Sequence, residues 1–342
     1  MAQDFDFKIE GENVPTESAR LIRTMDTAAD GFSVDVVITQ KNEPELYEKI
    51  RPYRYTPVTV SLEGELQLTG ALTKPTRSKS KSNIITTLNG FSITFNFIDS
   101  DIAKTYQFNG LQRLHDIAIQ LAKATATKVE FATESGGSFN SPTARRGQSA
   151  FEFLAPMARK RSQVMSCTPQ GALLFNIANT TGQTVGVIEE DNPDSLLQKE
   201  FSVSFDGRKR FKTYKVINQS PFGASNALSS DDNIKQPRHK VVQTDDVAGQ
   251  AQEIADFQKN RTIIDALTMS IPIVGWNAPD GSLLIPNTLI TIKSETMFVP
   301  DGFTFIIRQV EYIFEKNNKS SVISIIPPNA YTENTVVEPW FE

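Results

Sequence analysis

The 342-residue sequence is poor in the residues from which most catalytic and metal sites are made: one cysteine, two histidines and two tryptophans. A lone Cys167 excludes an internal disulfide framework and any zinc site built from several cysteines, and it fits a chain made for a reducing compartment. Long apolar runs are missing too. None reaches the roughly 20 residues that cross a bilayer, and the opening Met1-Ala-Gln-Asp-Phe-Asp-Phe-Lys8 lacks the basic-then-apolar order of a secretory leader. The expectation is a soluble chain with no signal peptide and no stable membrane insertion. A net charge of -5 is small for this length, so no direct sequence-specific binding of nucleic acid is expected. The basic clusters Arg145-Arg146, Arg159-Lys160-Arg161 and Arg208-Lys209-Arg210 read as solvated faces.

The same poverty governs the chemistry. No Gly-x-x-x-x-Gly-Lys-Ser/Thr and no Gly-x-Gly-x-x-Gly occurs, so nucleotide binding has no support, and Gly136-Gly137 lies in a serine-rich loop. His115 reads as a helix-surface residue, His239 as part of a polar stretch, and Cys167 as a small buried hydrophobe. Glycoside hydrolysis needs two carboxyl groups flanking one bond. The adjacent acids Glu189-Glu190-Asp191 read as turn residues and Asp245-Asp246 as charge at a helix start. The expectation is a non-enzyme with no catalytic residues, cofactor or metal.

What the sequence has instead is a segment that occurs twice in outline. The first copy runs Pro57-Val-Thr-Val-Ser-Leu-Glu-Gly64, Glu65-Leu-Gln-Leu-Thr-Gly70, a polar hairpin Arg77 to Asn83, then Ile84 to Gly90. The second runs Pro286 to Lys293, Phe303 to Phe314, a polar hairpin Glu315 to Ser320, then Ser321 to Pro327. A proline-led strand, a further strand, a charged turn and a return strand make the grammar of a small antiparallel barrel. The two copies are expected to form two separate barrels of one topology, and a single continuous sheet through both would overturn that.

The fold class expected is therefore α+β, mainly β: two similar small antiparallel β-barrels, an α+β middle domain and a helical insert. Residues 1–104 alternate with period two (Val34, Val36, Ile38; Val58, Val60, Leu62) and form the first barrel domain, with a short helical or irregular link from Asn42 to Arg51. Residues 105–188 change period. Leu111, Leu114, Ala118, Leu121 and Ala122 fall at helical spacing behind an Asn109 cap. Ser149-Ala-Phe-Glu152 opens a second helix as a capping box, with Phe151, Leu154, Ala155 and Ala158 on its buried side. Pro156 inside it costs roughly 3 kcal/mol unless packing accommodates it. Val164 to Thr168 and Ala172 to Ala178 make a hairpin about Pro169-Gln-Gly171. The second barrel domain is split, 189–225 and 284–331, with strands at 201–205 and 211–219. A polar turn-rich stretch 220–237 reads as mobile. The inserted segment 226–283 also holds a helix from about 246 to 264 (Val247, Ala251, Ile254, Ala255, Ile263 apolar) and a strand 268–274. The tail 332–342 carries Trp340 and Phe341 beyond the last strand. Large aromatics in a terminal segment mark these two as candidate interface residues.

Three stretches in this order resemble the baseplate hub, or tail protein, of Mu-like contractile-tailed phages, in the wider superfamily of the T-even baseplate hub and the late-control D proteins. They are Pro57 to Gly70, Gly147-Gln-Ser-Ala-Phe-Glu-Phe-Leu-Ala-Pro-Met-Ala-Arg-Lys-Arg161 followed by Thr168 to Phe175, and Gly275-Trp-Asn-Ala-Pro-Asp-Gly-Ser-Leu-Leu-Ile-Pro-Asn287. The resemblance covers nearly the whole chain. It departs at Gln250-Ala-Gln-Glu-Ile-Ala-Asp-Phe-Gln-Lys259, where such proteins usually carry an arginine- and tryptophan-rich helix, and in lacking their longer aspartate-containing stretch after the first barrel. It implies a structural homotrimer, assembled in the host bacterial cytoplasm and resident in the virion tail baseplate. There a ring with pseudo-sixfold symmetry would adapt a threefold central spike to a sixfold tail tube, alongside other baseplate proteins. Two other classes compete. A tail-associated cell-wall hydrolase requires a separated acid pair or a histidine-metal cluster, and a receptor- or carbohydrate-binding tail module would use exposed aromatics such as Trp276 and Trp340.

Overall fold

In the computed structural model the described residues are 4–79, 84–134, 137–192, 195–197, 201–220, 223–244, 251–315, 318–332 and 334–341. The first third alternates buried and open positions along the strands β1 (Phe5–Ile9), β2 (Ser18–Thr24), β3 (Gly31–Val36), β4 (Pro57–Leu62) and β6 (Ile84–Ser92), while the long β5 (Glu65–Lys79) between the last two is buried around Gln67–Leu72 and open toward its end. The link before β4 contains helix α1 (Pro44–Lys49), whose proline lies at its start, where no intrahelical N–H is needed.

The middle third packs helix α2 (Leu114–Ala122) and helix α3 (Ala150–Arg159) on a small sheet of β7 (Val129–Phe131), β8 (Gln163–Cys167) and β9 (Leu173–Ile177). Leu114, Ile117, Leu121, Leu154 and Phe175 share its core. The Ser149 hydroxyl accepts from the Glu152 N–H at 3.0 Å, and the helix runs through Pro156 to Arg159. The hairpin of β8 and β9 pairs Gln163 with Ile177 and Cys167 with Leu173. The expected Asn109 cap is corrected. Gly110 turns the chain at φ +74°, Leu111 and Gln112 pair with Asn140 and Phe139, and α2 begins only after Arg113. The hairpin bonds take the residues that helical spacing alone assigned to the first turn.

The last part carries β10 (Thr184–Glu189), β11 (Ser202–Phe205), β12 (Thr213–Ser220), β13 (Gly223–Ser230), β14 (His239–Thr244), helix α4 (Ala251–Ala266), β15 (Leu267–Val274), β16 (Leu289–Ser294), β17 (Val299–Glu315) and β18 (Asn318–Ile326). Three expectations are corrected here. The strand at 211–219 is not part of the large sheet, and the polar stretch 220–237 is not a mere loop. They form the β12–β13 hairpin, extended by β14 parallel to β12. Val216 of this small sheet buries against Ala251, Ile254 and Ala255 of α4, so a helix-covered sheet satisfies backbone groups that a polar composition left unassigned. Residues 267–274, placed in the inserted segment by sequence, form β15 inside the large sheet. Val247 and Asp245-Asp246 lie outside the described residues.

The duplicated segments agree bond for bond. In the hairpin of β5 and β6, Ala71 faces Phe91 and Leu72 faces Gly90, and the register slips between Leu72 and Lys74. In the hairpin of β17 and β18, Ile306 faces Ile326 and Ile307 faces Ile325, and the register slips between Ile307 and Gln309. Every partner is shifted by the same 235 positions (71 to 306, 91 to 326), bulge included. The correspondence continues outward: Leu72 N–H donates to Thr56 O at 3.0 Å and Ile307 N–H to Thr288 O at 2.8 Å. β3 adds to β6 as β15 adds to β18, and β2 adds to β3 as β11 adds to β15. One strand departs, since β1 runs antiparallel to β4 whereas β10 runs parallel to β16.

The two copies are nonetheless not separate barrels. Both lie in one 13-stranded sheet, because the outer edge of β2 pairs with the second half of β17, from Thr24 facing Gln309 to Ser18 facing Glu315. The strand order is an open path, and no closed barrel forms among the described residues. The physical reason is the free edge. Each half leaves a row of N–H and C=O groups that a barrel would have to close on itself, and here one half closes the other. A single core follows, with Phe7, Leu21, Val60, Trp276, Phe305, Tyr312 and Ile323 in one cluster.

At the crossing of the first hairpin the backbones approach so closely that a Cβ at Gly90 would lie 2.2 Å from Ala71 O and 2.4 Å from the Phe32 ring. Gly90→Ala is therefore expected to cost about 1–3 kcal/mol through overpacking, measured by urea unfolding. A cost below about 0.5 kcal/mol would show that the crossing relaxes freely.

Candidate functional site

The joint between the halves is where the chain concentrates its buried charge. β2 ends in a turn that carries Asp26 and Asp30, and the bulge of β17 turns Arg308 toward them. Arg308 Nε donates to Asp26 Oδ2 at 3.1 Å and its Nη2 lies 3.0 Å away, the Tyr331 hydroxyl donates to the same oxygen at 2.5 Å, and Arg261 of α4 stands 3.6 Å off. Met25 N–H donates to Arg308 O at 2.9 Å, which seats the bulge on the turn. Burial works against ionisation of Asp26, yet Arg308, Tyr331 and Arg261 outweigh it and hold its carboxyl below the usual range. Asp30, four residues on, goes the other way. Its burial dominates and raises it despite Arg23 at 3.3 Å and the Thr24 N–H at 3.0 Å.

A second buried charge group ties down the tail. Arg210 bonds Glu338 Oε2 at 2.6 Å and Oε1 at 2.9 Å and Asp231 Oδ2 at 2.5 Å, all three side chains being buried. Burial lowers the arginine's proton affinity, but Glu338 and Asp231 reverse that and hold it above its ordinary value. Two residues beyond Glu338, the Trp340 ring meets Phe205 of β11 edge-on, with centroids 5.1 Å apart. Phe205, Phe298, Trp340 and Phe341 line a pocket of about 300 Å3. Phe341 remains 48% exposed and Phe298 61% exposed at its rim.

The residues weighed for catalysis are not brought together. His115 is exposed, 3.4 Å from its neighbour Asp116, with its ring on Phe131. His239 Nδ1 lies 2.5 Å from Thr213 Oγ1 at the start of β14. Burial, helped by Asp30, pushes the Cys167 thiol up to about 12, far from nucleophilic. Glu189 pairs with Lys293 at 2.8 Å, and Glu190 accepts from the Ser294 and Thr296 hydroxyls at 2.6 and 2.5 Å. Among the described residues no three His, Cys, Asp or Glu side chains cluster to hold a metal, and no helix is long and apolar enough to cross a membrane. Trp276 is fully buried, its indole N–H donating to Ile313 O and Ser320 O at 3.1 Å, so it serves the core and not a sugar. Of the basic clusters, Arg161 bonds Gly137 O and Ser138 O, Lys209 bonds Asp265 O, and Arg210 is buried.

Sequence reading missed both charge groups. One signal was present: Phe303 to Tyr312 alternates polar and apolar residues except at Phe305-Ile306-Ile307 followed by Arg308-Gln309, and that break is the bulge.

No family model matches the chain. In sequence it is similar to the baseplate hub protein gp44 of Escherichia phage Mu, 22% identical over 291 residues, covering 80% of this chain and 75% of that protein. In structure it is similar to the 43 kDa tail protein of prophage MuSo2 from Shewanella oneidensis, with a TM-score of 0.80, 22% identity and coverage of 96% of this chain and 99% of that one. The tail protein from Neisseria meningitidis MC58 gives a TM-score of 0.83 at 16% identity, covering 96% and 98%. The fold of this chain is that of Mu-like prophage tail proteins.

The two aspartates of the joint predict opposite pH effects. The folded-state pKa of Asp26 is depressed, so its contribution is present above the unfolded value of about 3.9 and is lost as pH falls through the folded value. Asp26→Asn is expected to cost about 3 kcal/mol at pH 7 by urea unfolding, with the gap to wild type closing below about pH 4. Asp30 is raised, so its contribution is present below about pH 3.9 and is lost as pH rises through the folded value. Asp30→Asn therefore gains relative to wild type as pH rises. Parallel profiles for the two variants would refute this assignment.

Proposed function

We propose that this chain, a homologue of the Mu baseplate hub protein with the fold of Mu-like prophage tail proteins, is a structural baseplate hub of a contractile phage or prophage tail. Three copies form a ring on the tail axis, with a threefold central spike on one side and a sixfold tail tube on the other. The observation that supports this most is the duplicated hairpin with its shared register and bulge. A trimer of such chains offers six like units, while the differences between the two copies keep true symmetry threefold, and closed cyclic rings are the usual form of homo-oligomers. The protein acts by shape and contact and performs no reaction. Its partners are its own copies, the spike, the tube and neighbouring baseplate proteins, and its place is the virion tail after assembly in the host cytoplasm.

Light scattering at micromolar concentration is expected to give three times the 38.0 kDa chain mass, alone or once the cognate spike is added. A monomer under both conditions would remove the ring. Within this reading, Trp340 and Phe341 form an interface: Trp340 orients the tail on Phe205, and the open ring of Phe341 meets a neighbouring subunit or the spike. Phe341→Ser is expected to weaken trimer or spike association by about tenfold or more, the loss of one anchor of roughly 1.4 kcal/mol, with thermal stability little changed. Association at wild-type strength alongside a lowered melting temperature would assign the tail to its own half-sheet alone.

A further inference from the structure

The joint inside the chain is also a template. β2 completes the outer edge of β17, and the counterparts of these two strands are β11 and the second half of β5, Leu72 to Lys79. Among the described residues no strand pairs with the outer edge of either counterpart. We infer that β11 of one copy pairs antiparallel with the second half of β5 of the next copy, repeating between subunits the joint that β2 and β17 make within one. The inference rests on the ring reading above and names the two edges that close it.

The register follows from the strand pairings within the chain. Arg20, Leu21 and Ile22 of β2 face Ser33, Phe32 and Gly31 of β3, as Ser202, Val203 and Ser204 of β11 face Ser270, Met269 and Thr268 of β15. Ile22 faces Glu311 and Leu21 faces Tyr312 across the internal joint. Moving those pairs to their counterparts sets Ser204 opposite Thr76, Val203 opposite Arg77, Phe205 opposite Pro75 and Asp206 opposite Lys74. Three of the four pairs match in chemistry, hydroxyl beside hydroxyl, ring beside proline, and carboxylate beside ammonium, the Asp206 carboxylate also holding Arg208 at 2.9 Å; Val203 and Arg77 add only backbone pairing.

The backbone directions match as well. Asp206 N–H donates inward to Ala266 O at 2.7 Å, so by alternation Ser204 bonds β15 while Val203 and Phe205 turn their N–H and C=O groups outward. Pro75, in the place of Val310, has no N–H to offer, so its carbonyl alone joins the ladder. Proline and lysine on an edge keep it from pairing indiscriminately, which suits an edge reserved for one partner in one register. Phe205, 41% exposed, and Phe298 flank the β11 edge with apolar surface, and the neighbour's strand would cover it.

The test is a paired cysteine exchange in the full chain. Met25 N–H bonding Arg308 O makes Ile22 and Glu311 a non-hydrogen-bonded pair. Thr76 and Ser204 would then be one too, with Cα atoms about 4.5 Å apart, inside the range a disulfide spans. Thr76→Cys with Ser204→Cys is expected to give a covalent trimer on a non-reducing gel after mild oxidation. Either single variant should run as monomer, and Lys79→Cys with Ser204→Cys, out of register, should yield less than about a tenth as much cross-link. Cys167 is buried and does not compete. Val203→Pro, which removes an outward N–H without touching the Ser204 bond to β15, is expected to raise the trimer dissociation constant at least tenfold with unchanged circular dichroism. A trimer by light scattering that neither cross-links in this register nor weakens with Val203→Pro would overturn the proposed edges and leave the hub reading standing. A chain that stays monomeric with and without the spike would overturn both.

Discussion

A strand edge carries polar backbone groups that must be paired, solvated or covered, and the way β2 meets β17 decides most of what this protein is. Without that pairing the chain would hold two open half-sheets, each with a row of unsatisfied groups above an apolar face. With it, one sheet and one core run from Phe5 through Trp276 to Ile325. The price is charge burial at the joint, where Arg308 of the bulge and Arg261 meet Asp26, and Arg23 meets Asp30 of the same turn. Ion pairs of this kind add little net stability over well-packed apolar residues, but removing one partner is costly. The cluster therefore pins how the two halves are joined more than it raises their stability.

Much of this architecture was legible in the sequence because it rests on local signals. Alternation in Val58, Val60 and Leu62, the Ser149 to Glu152 cap and the Pro169-Gln-Gly171 turn each act over a few residues, and each produced the element expected. Three things were not legible. The Asn109 cap failed because helical spacing cannot see that Leu111 and Gln112 have strand partners near residue 140. The stretch 220–237 is rich in serine and asparagine, yet it pairs once α4 supplies an apolar cover. The merging of the two halves depends on which edge lies beside which, a matter of partners about 290 positions apart, as between Ile22 and Glu311, and no window of sequence carries it.

The candidate site was less legible still, because it is an arrangement of backbone edges and buried ion pairs and not a set of reactive groups. Scarcity of histidine and cysteine pointed away from catalysis. It could not point toward Arg210, which looks like one member of a basic run and in fact holds the tail through Glu338. The aromatic tail residues stood out for their chemistry, whereas the residues that position them did not.

The bulge at Arg308 has a counterpart at Thr73, and the turn aspartate Asp26 has Arg208 in its place, so the two copies differ where the internal joint is locked. Joining β2 to β17 is a unimolecular event, favoured by the high effective concentration that a shared chain supplies, and the Asp26–Arg308 pair then acts as a latch. The joint proposed at the second pair of edges would have neither the tether nor the latch and would answer to protein concentration. On the proposed pairing one chain would carry a permanent seam and a reversible one built on the same strand geometry, so that a subunit folds to completion before it commits to any neighbour.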